Sequence, residues 1–95
     1  MNDLPQSMNY IQIEKHGNPE VLKLHSMPIP EPGPGEVLIK VAAAGVNRPD
    51  VMQRKGLYPP PPGATYVPGL EVSGTVVSVG QNVRNPPINS EVCAL

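Results

Sequence analysis

Asn47, Asp50, Arg54, Tyr58, Tyr66 and Glu71 fall in one stretch of chain threaded through prolines and glycines. An amide, two carboxylates, a guanidinium and two phenols offer hydrogen bonds and flat aromatic surface. They include no activated nucleophile and no set of soft metal ligands. On a rigid Pro/Gly scaffold they make a concave polar and aromatic rim, a common form for a small-molecule site. The same residues also have a plain structural use. Asn47 and Asp50 cap a helix, and Glu71 pairs with Arg54. Both readings are open on the residues alone.

Other chemistries find little support. Cys93 is the one cysteine, so there is no internal disulfide. With His16 and His25 it falls short of a four-ligand zinc site. Both histidines read as surface or structural residues, and Cys93 as a small buried hydrophobe. Ser7, Ser26, Ser73, Ser78 and Ser90 lie near no motif that would activate them. Gly33 and Gly35 lack the third glycine of a dinucleotide loop and precede a strand, not a helix. No catalytic residue is assigned.

The elements that must position this stretch follow from composition and period. The chain has 95 residues, enough for one small domain. Fourteen are proline, against an average of roughly 5%, so long helices are disfavoured. With no Phe or Trp, the core must be aliphatic. Net charge is −1 with both signs scattered, which gives nucleic acid no electrostatic footing. No secretory signal or membrane-length apolar run is present. A soluble, cytoplasmic protein with no membrane partner is expected.

Period two dominates. After a polar tail (1–7), Met8 to Lys15 and Val21 to Met27 alternate and form a hairpin across the turn-rich His16 to Glu20. Pro28 to Glu36 is an extended connector. Val37 to Val46 is a third strand, with Val37, Ile39 and Val41 on one face. Asn47 as N-cap, Pro49 in the first turn and Gly56 as the stop predict one short helix. The prolines Pro59 to Pro62 then form a stiff loop. Leu70 to Gly80 is a strand, with Val77 and Val79 on one face and Gly74 marking a bend, bulge or close approach. Glu91 to Leu95 begins a last strand, and the chain reads as the front of a longer protein.

Four stretches, "HGNPEVLKL", "PGPGEVLIKVAAAGVN", "NRPDVMQRKGLYPPPPG" and "VPGLEVSGTVVSVGQNV", together resemble the medium-chain dehydrogenase/reductase superfamily. Within it the chain is most similar to the zinc-free, zeta-crystallin-type NADPH:quinone oxidoreductases. The resemblance implies a mainly β, GroES-like β-barrel domain with one short helix, over residues 8–95 and incomplete at its C-terminus. A Rossmann domain holding NADPH would lie outside this chain. Zinc-containing relatives carry Cys where Asn47 stands and His where Leu70 stands. Neither replacement binds Zn²⁺, so no zinc is expected.

Carried onto this chain, the resemblance places Asn47 near the nicotinamide or substrate carbonyl and Tyr58 on the quinone side. Asp50, Arg54, Gly69 and Glu71 support them, with Gly69 and Gly74 letting backbone pass close to neighbours. The expected function is hydride transfer from NADPH to a small-molecule quinone, in a parent that is a homo-oligomer. The 95 residues alone are expected to be inactive. Two alternatives stand beside this reading: a zinc-free enoyl or alkenal reductase of the same superfamily, and a non-enzymatic GroES-like binding module.

Overall fold

The computed structural model describes residues 4–95, and the first three residues of the expected polar tail lie outside them. The described chain contains five strands, one 3₁₀ turn and one α-helix. It divides into two compact units. Two open sheets, of two and three strands, stand among the described residues, with no closed barrel. This agrees with an incomplete, mainly β, GroES-like domain.

The first unit comprises the residues up to Gln6, Ile29–Gly45 and Glu71–Leu95. Strands β3 (Val37–Ala44), β4 (Val72–Val79) and β5 (Glu91–Ala94) form its antiparallel sheet, with β4 in the centre. Val76 is fully buried, which stabilises the unit by roughly 1.5–2 kcal/mol. The ladder between β3 and β4 shifts register twice, leaving Val77 of β4 and Ala42 of β3 as extra residues. Such a residue changes which side the following side chains of its strand face. Val41 lies before Ala42, on the same side of β3 as Val37 and Ile39, but it stands opposite Gly74 and is 52% exposed.

In β4 the buried positions are Gly74 and Val76, while Val77 and Val79, which alternation puts on one face, are half-buried. Gly74 confirms the expected close approach. A methyl group there would overlap the Lys40 carbonyl oxygen of β3. β4 also begins at Val72 rather than Leu70. Cys93 lies on β5 and is exposed, against the expectation of a buried small hydrophobe. Among the described residues β5 pairs on one side only.

The second unit comprises Ser7–Pro28 and Val46–Leu70. Strands β1 (Ser7–Ile13) and β2 (Leu22–Pro28) form the expected hairpin, paired without a slip from Ser7 and Pro28 to Ile13 and Leu22. β1 thus begins one residue before Met8 and stops before Lys15. The 3₁₀ turn Pro19–Val21 leads into β2 and buries Val21. His25 Nε2 lies 3.3 Å from a Glu14 carboxylate oxygen, and its ring is tilted beside that of Tyr10. That places His25 in a structural role.

Helix α1 (Arg48–Arg54) forms where the sequence predicts it, with Asn47 as N-cap and Pro49 in the first turn. A proline is tolerated there because the early N–H groups have no intrahelical acceptor. Lys55 closes the helix, and Gly56 at φ +83° turns the chain away.

Candidate functional site

The site is built at the two ends of α1. At its start, Asp50 occupies the third helical position and its Oδ2 accepts the Asn47 backbone N–H at 2.9 Å. A carboxylate there satisfies one of the amides that the helix leaves open and complements its dipole. Asp50 Oδ1 is buried and accepts no hydrogen bond among the described residues. The structural reading of Asp50 as a capping residue therefore holds.

At the other end the helix is clasped by the turn of the hairpin. The Gly17 N–H donates to the Arg54 carbonyl at 3.0 Å. Arg54 Nη1 donates back to the Gly17 carbonyl at 2.7 Å. The sequence suggested Glu71 as the partner of Arg54; the structure gives Arg54 the Gly17 carbonyl, and Glu71 belongs to the first unit. There the Glu71 carbonyl accepts the Gly45 N–H at 3.2 Å, and its side chain lies over the Gly45 backbone, where a methyl group would come within 2.7 Å.

His16 packs its ring on Gly56, so close that a methyl at that glycine would sit 2.7 Å from Nδ1. Gly56 is thus required twice, for its positive φ and for this contact. The proline loop leaves from here. Its near end is fixed by Leu57 N–H on the Met52 carbonyl at 2.8 Å. Its far end is fixed by Gln53 Nε2, which donates to the Tyr66 carbonyl at 2.9 Å.

Loop, helix end and hairpin turn enclose a recess of about 130 Å³. His16, Gln53, Tyr58, Pro59, Pro60 and Tyr66 contribute to its walls, and no Asp, Glu, Lys or Arg lines it. Tyr58 and Tyr66 are exposed enough, at 46% and 78%, to meet a ligand from solvent. The structure thus brings Tyr58 and Tyr66 together. Asn47 and Asp50 stand at the opposite end of α1 and do not line the recess. Gly69 differs from its expected use. A methyl at Gly69 would meet nothing within 4 Å, so its φ of +122° is what calls for glycine there.

His16 and Gln53 were missed in the sequence. Each acts through a contact to backbone distant in the chain, and such contacts leave no periodic trace. Among the described residues no group of three His, Cys, Asp or Glu side chains is placed to hold a metal ion.

Mainly β structure, one short capped helix and the stiff loop behind it fit a GroES-like domain. The family model for the alcohol dehydrogenase GroES-like domain matches residues 33–95, and the chain belongs to that family, within the medium-chain dehydrogenase/reductase superfamily. Over 79 residues it is 47% identical to the quinone oxidoreductase of Sus scrofa, covering 82% of this chain and 24% of that protein. The crystal structure of the human synaptic vesicle membrane protein VAT-1 homolog-like protein matches with a TM-score of 0.83 and 36% identity, over 92% of this chain and 28% of that one. The Escherichia coli quinone oxidoreductase complexed with NADPH matches at 0.82 and 34%, over 90% and 26%. The chain spans about a quarter of the length of the curated relatives it matches.

Proposed function

We propose that residues 8–95 form the substrate-side domain of an NADPH-dependent, zinc-free quinone oxidoreductase, with a Rossmann domain elsewhere in the parent protein. The observation that carries this reading is the recess beside Tyr58. Its walls include tyrosine and proline, and no carboxylate, lysine or arginine lines it. That chemistry suits a flat, uncharged acceptor. The name of the Sus scrofa relative and the NADPH in the Escherichia coli structure support the same reading.

The residues of this chain would do the positioning. Tyr58 would lie against the quinone, and the Asn47 amide would donate to a carbonyl oxygen of substrate or nicotinamide. The proline loop would exclude water at little entropic cost, because its backbone is already fixed. The nicotinamide, when bound, supplies the hydride. Its phosphates need a glycine-rich strand–helix turn, and this sequence has none, so the cofactor would be held mainly by the other domain. Asn47 and Leu70 leave neither thiolate nor imidazole for zinc, which supports direct transfer without a metal.

The test is NADPH oxidation with a naphthoquinone, run on the full-length parent and on the 95 residues. Activity in the parent alone is expected. Asn47→Ala in the parent should lower kcat about tenfold, the kinetic equivalent of about 1.4 kcal/mol, with the fold intact. A folded parent that reduces enones but no quinone would establish the enoyl or alkenal reductase reading. A folded parent that oxidises no NADPH with either acceptor would leave the binding-module reading.

A further inference from the structure

The proline loop also has an outer side. Residues 57–70 carry no charge, and among them Tyr58 is followed by four prolines. Each proline fixes its own φ at about −65°. Each residue that precedes a proline is driven to an extended ψ. Pro59, Pro60 and Pro61 meet both conditions, which is the polyproline II conformation. Pro62 is settled by the turn that follows it. The Ala64 N–H donates to the Pro61 carbonyl at 3.0 Å, and Gly63 has a φ of +85°. A proline at the second position of that turn excludes the primed types, so the turn is type II. Pro62 then lies at about −60° and +120°, close to polyproline II.

That helix repeats every three residues. Tyr58 and Pro61 therefore share one edge, Pro59 and Pro62 a second, and Pro60 stands on the third. Pro60 is half-buried, and the other four are exposed. The run lies with one edge on its own unit and presents two to solvent. Pro61 and Pro62 take no part in the walls of the recess. The loop is tied at both ends, by the Leu57 N–H and by the Gln53 amide, so a partner that grips it has little left to order.

The chemistry of the run selects the partner. Without N–H groups it cannot join a partner's sheet as a strand. Without charge it offers no hold to an anionic membrane or to nucleic acid. It presents proline rings and carbonyl oxygens, and the carbonyls of Pro59 and Pro62 accept no hydrogen bond among the described residues. A groove lined by Tyr and Trp suits both, because it packs rings against rings and donates O–H and N–H to the carbonyls.

We infer that residues 58–62 are a preformed polyproline II ligand for a protein domain with an aromatic-lined groove, gripped along the Tyr58/Pro61 and Pro59/Pro62 edges. The inference goes beyond the quinone reading and does not depend on it.

The test is calorimetric titration of the full-length parent with three purified probes, an SH3, a WW and an EVH1 domain, which all bind such ligands. At least one should bind saturably. Its affinity should change less than about threefold between about 0.05 and 0.5 M salt, because the run is uncharged. Pro61→Ala and Pro62→Ala should each weaken binding about tenfold. Pro60→Ala, on the inward edge, should weaken it less than about threefold. Every one of these variants frees one φ, so a general loss of stiffness would treat them alike. Thermal unfolding reports that each variant is folded, and either outward variant suffices beside Pro60→Ala.

No binding of any of the three domains to the parent would overturn the inference. So would equal weakening by the inward and outward variants, or an affinity that falls steeply with salt. NADPH oxidation with a quinone decides the function separately, whichever way the titration falls.

Discussion

The two units hold their shape by different means. In the three-stranded sheet, backbone presses on backbone at Gly74 and Lys40, and Val76 is sealed from solvent. The hairpin–helix–loop unit likewise buries one hydrophobic residue among those described, Val21, but shows no such backbone-on-backbone contact. Order there comes from directed bonds: Arg54 to Gly17, Gln53 to Tyr66, and Asp50 to the Asn47 amide. The first unit specifies its structure by excluding volume. The second does so by restricting torsions and tying loop ends. A surface meant to receive a ligand cannot be filled with its own side chains, and the second arrangement keeps it open without leaving it loose.

The sharpest test of this contrast is Gly74→Ala. The new methyl meets carbonyl backbone that has nowhere to go, so the chain should lose about 3 kcal/mol or more, read from denaturant unfolding. Gly56→Ala should cost less, about 1–2 kcal/mol. It strains a positive φ, but its steric neighbour is the His16 side chain, which can turn aside. If the two variants cost the same, the contrast between packed sheet and tied loop fails.

Asp50→Ala should cost still less, under about 1 kcal/mol. The lost cap is partly offset by removing the buried Oδ1, which accepts no bond among the described residues. Thermal unfolding of the variant checks this. Cys93→Ser should stay within about 0.5 kcal/mol of the parent chain, because the thiol is exposed on β5. A larger loss would mean that this edge is covered in solution.

Much of this was legible in the sequence. Alternation gave the hairpin and the sheet strands, and Asn47, Pro49 and Gly56 bracketed α1 closely. The side of each strand that faces inward was less legible. Val41 keeps the side of β3 that alternation gives it, but it stands opposite Gly74, which has no side chain to cover it, and the bulge at Ala42 carries no compositional mark. In β4, three valines at 76, 77 and 79 satisfy either face, and Gly74 settled the matter by close approach. The tie between Gly17 and Arg54 spans 37 positions of the chain, beyond the reach of any local pattern. The candidate site was legible as a neighbourhood, through Tyr58 and the prolines, but not as a list of walls.

One feature of the sheet sets a clock. The Val76 N–H is bonded to the Ser90 carbonyl at 2.9 Å, and the Val76 carbonyl accepts from Asn89 at 2.8 Å. Its side chain is shielded from water, and β4 has a neighbouring strand on each side. In deuterated solvent, the amide at Val76 should therefore be among the last in the sheet to trade its proton, because only a deep opening of the sheet releases it. β5 is an edge strand, and its outward-facing amides should be fully labelled long before that.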